Sequence, residues 1–80
     1  MTTATDITRT YQHTTGLMNT LRYVNDKYNQ HTVCQYFAAG EQDIPNVYRH
    51  ATIEEARATW ERLAATLERR GFALRMTEAA

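Results

Sequence analysis

The chain has 80 residues, of which 42% are hydrophobic and 10% aromatic. This composition suits one small folded domain and argues against a disordered chain. Nine basic and nine acidic residues give a net charge of zero, and the absence of a basic stripe argues against a nucleic-acid or membrane surface. Cys34 is the only cysteine, so a disulfide framework is excluded and a reducing compartment is indicated. Because the sequence shows no signal-peptide core and no apolar run of about 20 residues, we predict a cytoplasmic protein.

The N-terminal part of the chain predicts a strand. Residues 7–14 are rich in β-branched and aromatic side chains, which favour extended backbone. Residues 1–5 are predicted to be a flexible N-terminus, residues 6–77 one compact α+β domain, and residues 78–80 a flexible C-terminus.

Residues 16–29 have two interpretations. As a helix, they place four apolar side chains on a narrow arc at i, i+4, i+7 and i+11. These side chains are Leu17, Leu21, Val24 and Tyr28. As a strand, Leu21 and Tyr23 alternate with polar residues, and residues 25–27 form a hairpin turn. The helical arc is the tighter pattern, so the helix is the favoured interpretation.

Two further strands are predicted in the middle of the chain. Residues 31–38 have apolar side chains on both faces, and residues 47–50 form a short strand before the next helix. Residues 40–46 are predicted to be a loop, because Gly40 frees the backbone and Pro45 removes a hydrogen-bond donor.

The clearest signal in the sequence is a helix over residues 52–71. Thr52 and Glu55 form a capping box, and Gly71 supplies a left-handed stop. One apolar stripe runs along the helix, with Trp60 predicted at the centre of the core. The stripe comprises Ile53, Ala56, Trp60, Leu63, Ala64 and Leu67.

A last strand follows the helix at once, with Phe72, Leu74 and Met76 predicted to alternate as one buried face. The favoured order, βαββαβ, resembles the ferredoxin-like split arrangement, in which the helices lie on one face of a small antiparallel sheet. The alternative is a β-meander with a single helix, residues 53–70, packed across it. Either arrangement leaves one sheet face uncovered by helix.

The sequence offers few parts for catalysis, so we predict that the protein is not an enzyme. It contains no serine, which excludes a Ser–His–Asp triad. His31 and Cys34 are three positions apart on a strand and point to opposite faces, and their spacing matches no zinc motif. Cys34 is expected to be a small buried hydrophobe. Glu41 and Asp43 are expected in a solvated turn.

No glycine-rich phosphate loop is present in the sequence either. No catalytic residue, metal or cofactor is therefore predicted.

Tyrosine and arginine are the residue types that dominate interface hot spots. Three tyrosines lie on predicted strands, and four arginines lie nearby: Arg9, Arg22, Arg49 and Arg75. The predicted partner-binding residues are Tyr11, Arg22, Tyr36, Tyr48, Arg49 and Arg75. We predict a small non-enzymatic protein–protein interaction module that acts as a regulator or inhibitor. It would bind a partner protein, or its own copy as a homodimer, through the uncovered sheet face or a strand edge. Small regulators from bacteria and phages resemble this chain in size and fold class.

Two alternative functions are kept. Aromatic residues on a sheet resemble the base-stacking surface of RNA-recognition domains, which implies single-stranded nucleic-acid binding. Residues 46–50 depart from the consensus of that family, and the neutral charge favours a protein partner over nucleic acid. The other alternative is a small-ligand sensor or accessory enzyme subunit. No membrane partner is predicted.

Overall fold

The computed structural model describes residues 5–25, 30–37 and 45–79. In chain order, the elements are strands β1 (Thr5–His13), β2 (Met18–Asn25), β3 (His31–Tyr36) and β4 (Asn46–His50), helix α1 (Ile53–Arg69) and strand β5 (Phe72–Ala79). The five strands form one sheet in the order β4-β3-β2-β1-β5, and every neighbouring pair is antiparallel. Helix α1 packs on one face of this sheet.

The predicted α+β class with an antiparallel sheet is confirmed. Within that class, the chain follows the alternative rather than the favoured order: β1 to β4 form a meander, and a single helix precedes β5. Strand β5 then returns to pair with β1 on the side away from β2. The ferredoxin-like βαββαβ order is not observed.

The helix predicted over residues 16–29 is wrong, because residues 18–25 form strand β2. A tight turn precedes this strand: Gly16 has φ +94°, its N–H donates to the His13 carbonyl at 2.9 Å, and the His13 N–H donates to the Leu17 carbonyl at 2.8 Å. Strand β2 then pairs on both sides, with β1 and β3. These two hydrogen-bonded ladders outweigh a local helical pattern. Residues 26–29 lie outside the described residues.

The other predicted elements are confirmed to within a few residues. Thr52 caps α1: the Glu55 N–H donates to Thr52 Oγ1 at 3.3 Å, and the two side chains are joined at 3.1 Å. Gly71 ends the helix with φ +90°. Strand β5 is longer than predicted and continues to Ala79. The predicted loop at residues 40–46 lies outside the described residues except for its last two positions.

The core is centred on Tyr11, Leu21 and Leu67, which join β1, β2 and the C-terminal half of α1. Trp60 was predicted at this centre, but it is only partly buried and packs against the cluster from outside. The Arg9 guanidinium lies 5.6 Å from the centre of the Trp60 ring. A large indole at the boundary of the core therefore contributes a cation–π contact as well as apolar packing.

The prediction of one buried face for Phe72, Leu74 and Met76 is also wrong. Leu74 is 48% exposed and Met76 51% exposed. The register explains why they diverge: Tyr11 pairs with Leu74 but Thr10 pairs with Met76, so one extra residue in β5, Arg75, forms a bulge. Since antiparallel partners share a face, the bulge puts Leu74 and Met76 on opposite faces of the sheet.

Candidate interaction surfaces

The predicted partner-binding residues do not form one patch. Tyr11 is buried in the core beside α1. Tyr48 is half-buried and pairs with Val33 of β3. Val33 lies on the same face of the sheet as Leu21, because Leu21 pairs with Gln35, two residues along β3 from Val33. Tyr11 and Tyr48 therefore belong to the face that the helix covers.

Arg22, Tyr36 and Arg49 share the opposite face, which we call the helix-free face because no described helix packs on it. The register places Tyr36 opposite Thr20, and Arg49 opposite Thr32. Arg49 is exposed, Arg22 is half-buried, and Tyr36 is only 7% exposed. Of the three predicted tyrosines, none presents an exposed ring on this face, so the base-stacking hypothesis gains no support from the geometry.

An ion pair holds Arg22 flat against the helix-free face. Its Nη2 lies 2.5 Å from Asp6 Oδ2, and its Nε donates to both oxygens of the same carboxylate at 3.1 Å. These hydrogen bonds from Arg22 keep the pKa of the Asp6 carboxyl below its usual value, although partial burial acts in the opposite direction. Both side chains are about one-third exposed, so the pair ties β1 to β2 with a modest stabilisation.

Strand β5 forms an edge of the sheet, and we call its unpaired side the β5 edge. It pairs with β1 on one side, and seven of its eight residues are exposed. Arg75, the last of the predicted partner-binding residues, lies at the bulge and is exposed. This strand therefore combines free backbone groups with exposed apolar side chains, a combination that pairs readily with another strand.

A shallow cleft of about 180 Å³ lies between the N-terminal half of α1 and strands β1 and β2. We call it the Arg9 cleft. It is lined by Ile7, Arg9, Tyr23, Ile53, Ala56, Arg57 and Trp60. Two of these residues are cationic and none is acidic, although the chain as a whole is neutral.

A hydrogen bond fixes the tyrosine of this cleft. The Tyr23 hydroxyl and His31 Nδ1 are 2.7 Å apart, and the two rings stack at an interplanar angle of 14°. Burial raises the pKa of the Tyr23 phenol. His31 itself is buried, so its role is to position Tyr23 rather than to meet solvent.

A second histidine ties the helix to the sheet. Thr59 Oγ1 lies 2.8 Å from His50 Nε2, and Glu55 Oε2 lies 3.9 Å from His50 Nδ1. The order hydroxyl–imidazole–carboxylate is that of a hydrolytic triad. Thr59 is buried on the side of α1 that faces the sheet, however, so its hydroxyl offers no approach to a substrate. These contacts join α1 to β4.

The described residues contain no cluster of three or more His, Cys, Asp or Glu side chains suited to a metal ion. As the alternation predicted, His31 and Cys34 lie on opposite faces of β3. Cys34 is half-buried rather than fully buried as expected. Glu41 and Asp43 lie outside the described residues. Among the described segments, no helix has the length and apolar character needed to cross a membrane.

Comparisons with protein families, with curated proteins and with solved structures found no match.

Sequence reasoning missed the Arg9 cleft. The sequence places Arg9 on the first predicted strand and Trp60 in the predicted core, but nothing local in the sequence links the two side chains. Their contact depends on how α1 crosses the sheet. The one available signal was the position of Arg9 between Ile7 and Tyr11, where a charged residue shares a strand face with two large apolar ones.

Proposed function

We propose that this protein is a small non-enzymatic interaction module that binds a partner protein, or a second copy of itself, through the β5 edge. The observation that carries the proposal is the exposure of seven of the eight residues of an edge strand. Action as a regulator or inhibitor in the cytoplasm is part of the same proposal.

The backbone of β5 supports this mode of binding. An edge strand presents a row of N–H and C=O groups that a second strand satisfies by joining the sheet. Strand β5 contains no proline and no lysine to discourage such pairing, so its protection is limited to the bulge at Arg75 and the charged side chains of Arg75 and Glu78. Backbone pairing supplies affinity, and side chains beside it supply specificity.

The side chains of β5 support recognition on both faces of the sheet. Leu74 shares a face with Tyr11 and α1, whereas Met76 shares a face with Thr10 and the helix-free surface. An incoming strand would therefore meet one apolar anchor on each face. Arg75, exposed at the bulge between them, offers a planar cation for a carboxylate on the partner.

The test combines light scattering after size-exclusion chromatography with affinity capture from nuclease-treated host lysate. The double variant Leu74→Lys, Met76→Lys charges the β5 edge without touching the core. Phe37→Lys is the matched control, because Phe37 is equally exposed but follows β3 on the other side of the sheet.

We expect the wild-type protein and the Phe37→Lys variant to form a dimer or to retain a stoichiometric protein partner, and the double variant to lose it. A wild-type protein that stays monomeric at all concentrations and retains no such partner would contradict the proposal. So would a partner that binds the double variant as well as it binds the wild type.

A further inference from the structure

We propose that the Arg9 cleft binds a small aromatic carboxylate. The proposal is independent of the β5 edge, which lies outside the cleft lining. It follows from three properties of the cleft: the charge of its lining, an unsatisfied donor and its apolar walls.

The lining carries two positive charges without local compensation. Arg57 has Glu54 three residues before it and Glu61 four residues after it, positions at which helical carboxylates often pair with arginine. Within the described residues, Arg57 nevertheless makes no ion pair. Arg9 makes none to a described residue either, so two guanidinium groups border the same cleft without a counterion from the chain.

Arg9 also has an unsatisfied donor. Its Nε is buried and has no hydrogen-bond partner among the described residues. A buried donor without an acceptor is destabilising, and more so when the group is charged. Because Nε is closed to solvent, an anion in the cleft would stabilise the guanidinium through its charge rather than by bonding to Nε.

The contact with Trp60 prepares Arg9 for a carboxylate. The guanidinium lies over the indole at 5.6 Å, which restricts its rotation. Because a guanidinium is a planar fork of N–H donors, stacking by one face still allows its two terminal amino groups to meet the two oxygens of a carboxylate.

The remaining walls suit a flat apolar body. Ile7, Ile53 and the Trp60 ring are apolar, and the hydrogen bond to His31 holds the Tyr23 ring in place. A volume of about 180 Å³ is below the roughly 300–1,000 Å³ of most small-molecule sites. The cleft therefore admits a single ring with its carboxylate rather than a larger ligand.

The test is a solution NMR titration of the wild-type protein with benzoate, benzamide and phenylphosphate. Trp60 is the only tryptophan in the chain, so its indole N–H gives one assigned signal inside the cleft. Benzamide has the same ring as benzoate without the charge, and phenylphosphate distinguishes a carboxylate site from a phosphate site.

The variant Arg57→Gln removes one cation from an exposed helix position, so the fold is retained. Arg62→Gln is the matched control, because Arg62 is exposed on the same helix but does not line the cleft. Circular dichroism of each variant confirms that α1 is intact.

We expect benzoate to shift the indole signal saturably, benzamide to produce no saturable shift, and Arg57→Gln to weaken benzoate binding about tenfold or more. Arg62→Gln should bind as the wild type does. The proposal is overturned if benzamide binds as well as benzoate, if phenylphosphate alone saturates, or if the two arginine variants behave alike. Because no protein partner is present, failure here leaves the β5 proposal unaffected.

Discussion

Strand β5 is richer in apolar residues than β3, yet β3 is the more deeply buried of the two strands. Strand β5 contains Phe, Leu, Met and two Ala among its eight residues, yet seven of the eight are exposed. Strand β3 contains His, Thr and Gln among its six residues, yet four of the six are buried. Helix α1 contacts both strands, but among the described strands β3 pairs on both sides whereas β5 pairs only with β1. Position in the sheet therefore decides burial, and the apolar side chains of β5 remain available for binding.

Replacement of matched leucines is the strongest test of this difference. Leu21 is 0% exposed at the centre of the core, so Leu21→Ala should lower the free energy of unfolding by about 2–5 kcal/mol. Leu74→Ala, in β5, should change it by no more than about 0.5 kcal/mol. Urea denaturation followed by circular dichroism measures both values. Equal losses would mean that β5 is covered in solution.

The glycine that joins α1 to β5 gives a second test. Gly71 has φ +90°, and a Cβ there would lie 3.0 Å from His13 Nε2. Gly71→Ala should cost about 1–2 kcal/mol for the left-handed backbone and roughly 1 kcal/mol more for displacing the His13 ring.

Gly16 is its control, because it has φ +94° with nothing within 4 Å of the added Cβ. Gly16→Ala should therefore show the backbone cost alone in the same denaturation experiment. If the free energy of unfolding falls equally in the two variants, the contact with His13 does not contribute to the loss.

The link between α1 and β4 gives a smaller effect. Thr59→Val keeps the buried shape but removes the hydrogen bond to His50, which should cost about 1–2 kcal/mol. Thr66→Val is the comparison, since the Thr66 hydroxyl bonds only to groups on the same helix, the Arg62 carbonyl and the Arg69 guanidinium. Its effect should stay near 0.5 kcal/mol or below. Thermal unfolding that ranks the two variants in the reverse order would contradict this role for Thr59.

The smallest effect is expected on the helix-free face. Asp6→Asn removes the ion pair with Arg22 and should cost no more than about 1 kcal/mol at pH 7. Because the pKa of Asp6 is lower in the folded protein than in the unfolded chain, its contribution is fully present above the unfolded pKa. It is lost as the pH falls through the folded value, below about pH 4.

The stabilities of the wild type and Asp6→Asn should therefore converge in acid. Denaturation of both proteins from about pH 2 to about pH 7, which covers the titration of a carboxyl, measures this. A difference that persists at the acid end would show that the substitution acts through packing rather than charge.

The parts of the fold that sequence predicts are those with local causes. The Thr52 cap, the apolar stripe and Gly71 define α1 within its own residues, and the structure reproduces them. The β5 bulge and the position of α1 over the sheet have no such local cause, because each depends on the pairing of β5 with β1. For the same reason, the faces of Tyr11, Tyr36 and Tyr48 were not predictable.

The pairing of β1 with β5 also constrains the order of events during synthesis. Strand β1 lies inside the sheet, but its second neighbour is translated only after the meander and α1 have been completed. Until then, the side of β1 that later pairs with β5 is an open edge. The contact between β1 and β5 is of the slowest kind to form, because the two strands are far apart in the sequence. The nascent chain therefore exposes the N-terminal strand while it emerges from the ribosome, and early chaperone contacts are expected at residues 5–13 rather than at the core of the meander.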